Sequence, residues 1–207
     1  MIIFTHMKVA VHFYHKNPLS LKKWAFIYGN IKPDITALSR KKHHYDTTRL
    51  IFLESIKDAG NLNLSKRERS VALGVVCHFI CDYFCMFHAK RPYNEANILS
   101  HIGYEIKLHL ALSHKQHRLD IIMPESERQQ ALKPMALNHV NSPLSHIDFA
   151  IQSLLKSYHQ EKESIHTDLK FSFDALGFVI EVLLKQKVDE GAYHKTCERS
   201  DYFSTAC

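Results

Sequence analysis

The chain has 207 residues, 45% of them hydrophobic, which is enough for one domain with a sizeable core and leaves little room for a second. Sixteen histidines and only six glycines make the composition unusual, and the low glycine content favours helices over a turn-rich β architecture. The formal charge of +6 and the isoelectric point near 9.0 favour encounters with phosphates or with an anionic membrane surface, but they do not identify a reaction.

The sequence contains neither the stretch of about 18 apolar residues that a transmembrane helix needs nor a basic start followed by an apolar signal region. We therefore expect a cytoplasmic protein, with secretion by another route left open. The five cysteines are odd in number and irregularly spaced, which argues against a disulfide framework. Cys77, Cys81 and Cys85 recur every four residues, and we interpret them as small buried side chains rather than as a thiolate metal site.

The first third of the chain shows the apolar spacing of three helices, at residues 2–14, 20–29 and 45–59. Gly29 and Gly60 stand at the ends of the second and third helices, where glycine commonly closes a helix. Pro33 and its neighbours predict a turn after the second helix. Asp34 is therefore expected in a loop.

The longest apolar stretch lies in a fourth predicted helix, from Ser65 to about Met86. Ser65 is a helix cap, and nearly every residue from Val71 onward is apolar, so we expect this helix at the centre of the fold. Residues 121–143 contain three prolines and predict a loop, with at most a short helix at 125–132. Further helices are predicted at 97–112, 145–157 and 166–185. The fold class is therefore all-α, a single-domain multi-helix bundle at residues 1–185 with a C-terminal tail at 186–207.

Five residues with metal-binding side chains lie in and after the central helix. His78 and Asp82 are four residues apart, as are His101 and Glu105, so the members of each pair share one face of a helix and can bind one ion. Two ligands of one ion lie much closer together than the rise of about 15 Å from His78 to His88 on a continuous helix. His88 therefore binds a different metal, or the helix ends before it. The simplest arrangement is one centre at His78 and Asp82 and another at His88, His101 and Glu105.

Five short sequence elements carry further information through their order along the chain. They are Thr5-His6 with Val9-Ala10, the segment Tyr28-Gly29-Asn30-Ile31-Lys32-Pro33-Asp34, a histidine after it, the His78/Asp82/His88 set, and the His101/Glu105 pair. Together they resemble the zinc-dependent phospholipase C family, which shares its all-helical fold with fungal single-strand-specific nucleases. The resemblance covers residues 1–185 and implies a metal cleft between helices that binds Zn2+, three ions per chain.

The resemblance also implies a set of protein ligands for each zinc ion, with Asp82 bridging two of the ions. The ligands of the first ion are Asp34, a histidine at 43 or 44, His78 and Asp82. The ligands of the second ion are His6, bridging Asp82 and the N-terminal residue, which is Met1 where the family has a tryptophan. The ligands of the third ion are His88, His101 and Glu105.

Two of the ligand positions need a separate assignment: the histidine at 43 or 44, and the N-terminal residue. His43 and His44 are alternatives because adjacent residues cannot point the same way. We favour His43, since the pattern His43-x-x-Asp46-x-Thr48 resembles that of the family at the start of the next helix. A retained, deformylated Met1 would supply an amine and a carbonyl oxygen in place of those of the tryptophan.

The function that the resemblance implies is phosphodiester hydrolysis, since a zinc cluster supplies hydroxide near neutral pH and stabilises the negative charge of the reacting phosphate. The expected substrate is a phospholipid, reached by peripheral contact with a membrane. Asp34 is the candidate catalytic residue, as general base in addition to ligand. Two alternatives remain open: a zinc-dependent nuclease or phosphatase acting on nucleic acid or nucleotides, and a non-catalytic family member that keeps zinc for folding or binding.

Overall fold

The computed structural model describes residues 3–16, 21–36, 43–89, 98–113 and 142–200, with side chains described as far as Leu183. Within these ranges the chain forms α-helices and no strand. The helices are α1 (Ile3–Lys16), α2 (Lys23–Ile35), α3 (Tyr45–Gly60), α4 (Lys66–Tyr83), α5 (Met86–Ala89), α6 (Ile98–Ala111), α7 (Pro143–Gln160) and α8 (Ile165–Ser200). The predicted all-α class is confirmed.

Helix α4 lies at the centre of the bundle. It begins with a capping box, in which the Ser65 hydroxyl accepts the Glu68 N–H and the Glu68 carboxylate accepts the Ser65 N–H. Every residue from Leu73 to Tyr83 is buried, and α4 packs against α1, α2, α3 and α8. The central position follows from the sequence, because a helix with apolar residues on every face must be covered on all sides.

Helices α2 and α4 approach each other closely at two glycines. A Cβ atom added to Gly74 would lie 2.2 Å from the carbonyl oxygen of Phe26 and 2.8 Å from the Cα of Gly29. A Cβ atom added to Gly29 would lie 2.1 Å from the carbonyl oxygen of Val71. Only glycine allows two backbones to come this near. The contact therefore places the C-terminal half of α2 directly beside α4.

The end of α2 differs from the prediction, because the helix continues past Gly29 to Ile35 and includes Pro33. Asp34 consequently lies in the last turn of α2 and not in a loop. Gly29 serves the close contact with α4 instead of closing the helix, and no described glycine has the positive φ of a left-handed helix cap. The glycine was correctly identified as a special position, but the wrong reason was assigned to it.

Helices α7 and α8 complete the core on the other side of α4. Ser142 caps α7 by accepting the N–H of Ser145, and α8 extends beyond the predicted end at 185 to Ser200. Most of the predicted loop at 121–143, with the short helix at 125–132, lies outside the described residues. None of the described helices is both long and apolar enough to cross a membrane. The cysteines predicted to be buried, Cys77, Cys81 and Cys85, are buried and free.

Candidate metal centre

Six segments of the fold bring eight of the nine predicted metal-binding residues into one region, while Met1 lies outside the described residues. The eight are His6 on α1, Asp34 on α2, His43 just before α3, His78 and Asp82 on α4, His88 on α5, and His101 and Glu105 on α6. Among the described residues, their donor atoms form three groups within which all distances are below 4.8 Å. We name them the His6 group (His6, His78, Asp82), the Asp34 group (Asp34, His43, His78) and the Glu105 group (His88, His101, Glu105).

In the Asp34 group the ring nitrogens of His43 and His78 lie close to each other. They also lie close to the carboxylates of Asp34 and of the neighbouring Asp82. His43 Nδ1 lies 3.0 Å from His78 Nε2, and Asp34 Oδ1 lies 3.7 Å from His78 Nε2. Asp82 Oδ2 lies 2.8 Å from His43 Nδ1 and 3.1 Å from His78 Nε2. Two ligand atoms of one tetrahedral zinc ion lie about 3.3 Å apart, because each bond is about 2.0–2.1 Å long. These four side chains therefore have the spacing expected of ligands that share an ion.

The ring of His78 is oriented by the backbone of α2. Its Nδ1 lies 2.8 Å from the carbonyl oxygen of Asn30, and since a carbonyl only accepts hydrogen bonds, Nδ1 carries the proton. In the neutral ring Nε2 then keeps its lone pair, and Nε2 is the atom that faces His43 and the carboxylates. No residue type marks this contact in the sequence, because the acceptor belongs to the backbone.

His6 is fully buried and stacks on His78, with ring centroids 4.0 Å apart. Neither of its ring nitrogens has a hydrogen-bond partner among the described residues, although Nε2 lies 3.4 Å from Asp82 Oδ1 and 3.8 Å from Asp34 Oδ2. Burial is the main cause that lowers the pKa of His6 to about 3, so the ring is neutral at pH 7. A buried ring without hydrogen bonds is costly, and binding of a cation to its lone pair would offset that cost.

The Glu105 group forms where the chain turns between α4 and α6. Helix α4 ends at Tyr83 and α5 begins at Met86, so the helix that carries His78 ends before His88, and His88 also lies in a different group from His78. The spacing alone leaves these as two alternatives. Glu105 Oε1 lies 2.8 Å from His101 Nε2 and 3.7 Å from His88 Nε2. Burial lowers the pKa of His88. Burial alone would raise the pKa of Glu105, but the contacts with His101 and His88 outweigh it and lower that pKa.

Asp82 connects the three groups. Its Oδ1 lies 3.4 Å from His6 Nε2 and 3.8 Å from His88 Nε2, while its Oδ2 faces His43 and His78. The side chain is fully buried, which alone would raise its pKa, yet nearby positive charges hold the pKa of Asp82 well below its ordinary value. Asp82 is therefore ionised at pH 7, and a buried carboxylate in that state needs compensating positive charge.

His43, and not His44, lies in the Asp34 group. The His43 side chain is buried, whereas His44 is the N-cap of α3 and its backbone carbonyl accepts hydrogen bonds from Thr47 and Thr48. The His44 side chain lines a cavity on the outer side of the group. The two neighbours point in different directions, and the structure brings only the favoured one to the cluster.

The donor atoms fit zinc, because imidazole nitrogens and carboxylate oxygens are common zinc ligands. The cysteines of the central helix take no part in any of the three groups formed by the described residues. Asp34 Oδ2 and the ring nitrogens of His6 are buried without hydrogen-bond partners in the same part of the chain, which is the condition that a bound cation relieves. The cluster therefore matches a zinc site both in its donor atoms and in its buried polar atoms that lack hydrogen-bond partners.

A cavity of about 310 Å³ adjoins the cluster at His88. Its walls include the side chains of Tyr45 and Tyr83 and, from α7, Lys156 and His159. Lys156 is exposed to solvent. The cavity thus combines aromatic surface with one basic and one acidic side chain, Lys156 and Asp46, next to the Glu105 group. Sequence spacing alone did not reveal it, because its walls come from α3, α4, α5 and α7.

Comparison with known proteins agrees with the geometry. A sequence profile described as zinc dependent phospholipase C matches residues 2–165, a segment that runs from α1 to the first residue of α8 and contains all three groups. No curated protein and no solved structure shows significant similarity to the chain. The matched segment covers most of the chain and every one of the eight clustered residues. The protein therefore belongs to the zinc dependent phospholipase C family.

Proposed function

We propose that the protein is a zinc-dependent phosphodiester hydrolase of the phospholipase C type that releases phospholipid head groups. The observation that carries this proposal is that Asp82 connects three groups of donor atoms in one region. A structural zinc site is normally closed by four protein ligands, whereas the Glu105 group offers three donors among the described residues. Three protein ligands leave a position open, as a catalytic site requires.

We assign three zinc ions to the cluster. Asp34, His43, His78 and Asp82 would bind the first, and His88, His101 and Glu105 the third. His6 and Asp82 would bind the second together with the amine and carbonyl oxygen of Met1. Zinc bound in this way supplies Lewis acidity, which makes water a nucleophile near neutral pH and neutralises negative charge on the phosphodiester.

Asp34 is the proposed general base. Its side chain is partly exposed, and burial raises its pKa, which makes it a better proton acceptor than an ordinary aspartate. Oδ1 faces His78 and His43, while the buried Oδ2 has no hydrogen-bond partner among the described residues. We propose that the carboxylate of Asp34 accepts the proton of the attacking water. The oxygen of the water bonds to phosphorus, the phosphorus–oxygen bond to the diacylglycerol breaks, and the leaving oxygen takes up a proton from solvent. The products are diacylglycerol and a phosphorylated head group.

The cavity beside His88 is the proposed site of the substrate head group. Lys156 can pair with phosphate oxygens, and the rings of Tyr45 and Tyr83 provide apolar walls. A volume of about 310 Å³ lies at the small end of the range of ligand pockets, which suits a head group and not a whole lipid. We propose that the acyl chains stay in the membrane and that the contact with the bilayer is peripheral.

The proposal is tested by combining metal analysis with two hydrolysis assays. Purified protein is assayed for zinc per chain and for hydrolysis of a phosphocholine ester in vesicles and of single-stranded DNA. The Asp82→Asn variant is the control, because it removes the carboxylate that lies beside histidines of all three groups. We expect about three zinc ions per chain, release of phosphocholine, and loss of both zinc and release in the variant.

The other outcomes separate the alternatives. Cleavage of DNA without release of phosphocholine would support a nuclease. Three zinc ions without turnover of either substrate would indicate a non-catalytic member of the family. Release of phosphocholine by zinc-free protein would contradict the proposed mechanism.

A further inference from the structure

Asp168 on α8 is a buried carboxylate that lies outside the segment matched by the family profile and outside the three metal-binding groups. It is 1% exposed. The profile match ends at residue 165, before Asp168. Asp168 lies in the core and takes no part in the proposed zinc chemistry. Its role must therefore follow from the groups that it contacts.

The carboxylate accepts hydrogen bonds from three different segments. Oδ2 accepts the backbone N–H of Met86 at 2.9 Å and the hydroxyl of Tyr104 at 2.5 Å. Oδ1 accepts the hydroxyl of Tyr158 at 2.6 Å. Burial and the negative charge of Asp168 raise the pKa of both tyrosine hydroxyls, so each remains protonated and continues to donate.

Two of these donors belong to the elements that carry the Glu105 group. Met86 is the first residue of α5, two positions before His88, and Tyr104 precedes Glu105 directly on α6. A single oxygen of Asp168 therefore joins the start of α5 to the turn of α6 from which Glu105 projects. The third donor, Tyr158, comes from α7 and ties the carboxylate to the rest of the bundle.

Helix α5 needs such an anchor because it is only four residues long. Within the turn that carries it, the N–H groups of His88 and Ala89 both bond to the carbonyl of Cys85, at 2.9 and 2.8 Å. A helix this short is not stable by itself, since most helical stability in a short segment comes from its tertiary contacts. The Phe87 ring adds a second link, stacking on His101 with centroids 4.9 Å apart.

We propose that Asp168 is a positioning residue for the Glu105 group, which sets His88 on α5 at the correct distance from His101 and Glu105 on α6. The proposal rests on the proposed function only in that the Glu105 group binds zinc. A carboxylate suits this role, because both oxygens of Asp168 accept. An amide would place its NH2 group either opposite the Met86 N–H, which can only donate, or opposite the Tyr158 hydroxyl, which would have to turn round and accept, so the hydrogen bonds around Asp168 would be rearranged.

The test compares Asp168→Asn with Asp148→Asn by competition with a zinc chelator, at a temperature well below the unfolding midpoint of each variant. Asp148 is a matched control, since it is also a buried aspartate that accepts a tyrosine hydroxyl, that of Tyr45, and pairs with Arg49, but it contacts neither α5 nor α6 among the described contacts. We expect Asp168→Asn to bind the zinc ion of the Glu105 group about 10–100-fold less tightly than the wild type. Asp148→Asn should lower the unfolding temperature while all zinc affinities stay at the wild-type values.

A second variant keeps the test decisive if Asp168→Asn fails to fold. Tyr104→Phe removes one hydrogen bond to Asp168 and no metal-binding atom, and it should weaken the same zinc ion by a smaller factor. Unchanged zinc affinity in the folded Asp168→Asn variant, or in Tyr104→Phe if only that variant folds, would overturn the positioning role while leaving the proposed function intact. A wild-type chain whose Glu105 group binds no zinc would overturn both.

Discussion

The Nδ1 atom of His78 donates a hydrogen bond to the backbone carbonyl of Asn30 across the interface between α4 and α2, over 2.8 Å. This bond leaves the lone pair of Nε2 directed at the cluster, as in metal sites where the second nitrogen of a histidine is held by a carbonyl. The Asn30 carbonyl is in place because Gly29 and Gly74 let the two helices touch. The orientation of a central ligand therefore depends on two residues that have no side chains.

Replacing Gly74 with alanine should damage both stability and metal binding. The new Cβ would lie 2.2 Å from the Phe26 carbonyl oxygen and 2.7 Å from the Asn30 nitrogen, both of them backbone atoms that can move only with the helix. We expect the free energy of unfolding to fall by about 1–3 kcal/mol, as in other overpacked cores. Denaturant titration measures the stability, and metal analysis of the folded fraction should show weaker zinc binding.

Gly103→Ala is the matched control for Gly74→Ala. Gly103 also lies inside a helix, but nothing lies within 4 Å of a Cβ added there. Alanine should stabilise this helix by about 0.5–1 kcal/mol and leave zinc binding unchanged. Equal destabilisation by the two substitutions would show that the loss of stability at Gly74 is not caused by the close α2–α4 contact.

Asp82→Asn and Glu105→Gln should differ in the number of zinc ions that they remove. Asp82 lies beside histidines of all three groups, whereas Glu105 belongs to one. We therefore expect Glu105→Gln to lose about one zinc per chain and Asp82→Asn to lose more than one. Mass spectrometry of dialysed protein counts the ions, and a full complement of zinc in Asp82→Asn would contradict its central position.

The stability of the metal-free protein should fall as the pH is lowered from about 6.5 to about 3. The pKa of His6 is about 3 in the folded chain against 6.5 for an ordinary histidine, so within this window the unfolded chain binds a proton that the folded chain does not. The free energy of unfolding then decreases with falling pH, by about 1.4 kcal/mol per pH unit from this group. Denaturant titrations in the presence of a chelator give the slope.

The contribution of His6 is isolated with His6→Asn, which does not titrate. Asp82 and Glu105, whose folded pKa values are lowered, also lose stabilising free energy at acid pH, but only below the ordinary carboxylate pKa near 4. Between pH 6.5 and 5 the wild type should therefore have a steeper dependence than the variant. Parallel curves in that interval would show that His6 accepts a proton in the folded protein.

Lys156→Met should raise KM for a phosphocholine ester with little change in kcat. Lys156 lines the cavity beside His88 but is not among the metal-binding groups, so it would contribute to substrate binding and not to the reacting atoms. Loss of one charge-assisted contact corresponds to about a tenfold increase in KM. Lys162→Met, an exposed lysine between α7 and α8, is the control and should behave as wild type. A fall in kcat without a change in KM would place Lys156 in the chemical step instead.

Several helices were predictable because local patterns decide them. The capping box at Ser65 and the apolar sequence after Leu73 identify α4 and its burial with no knowledge of its neighbours. The end of α2 was not predictable in this way. Gly29 has the same local signature whether it closes a helix or allows another helix to approach, and only the presence of α4 distinguishes the two.

The features of the candidate site likewise fall into those that local sequence patterns predict and those that depend on tertiary packing. The pairs His78/Asp82 and His101/Glu105 follow from helical spacing, and distance alone predicts that His88 binds a different metal from His78 or that the helix ends before it. Tertiary packing alone decided that His43 and not His44 joins the cluster, that a backbone carbonyl orients His78, and that a cavity opens beside His88. Asp168 belongs with these, because two of its three donors, Met86 and Tyr104, lie far from it along the chain and nothing near it in the sequence indicates a role. Periodicity is a property of neighbouring residues, which is why the ligand pairs could be read from the residues themselves. Orientation and spacing between helices depend on contacts between distant segments, and these exist only after the chain has folded.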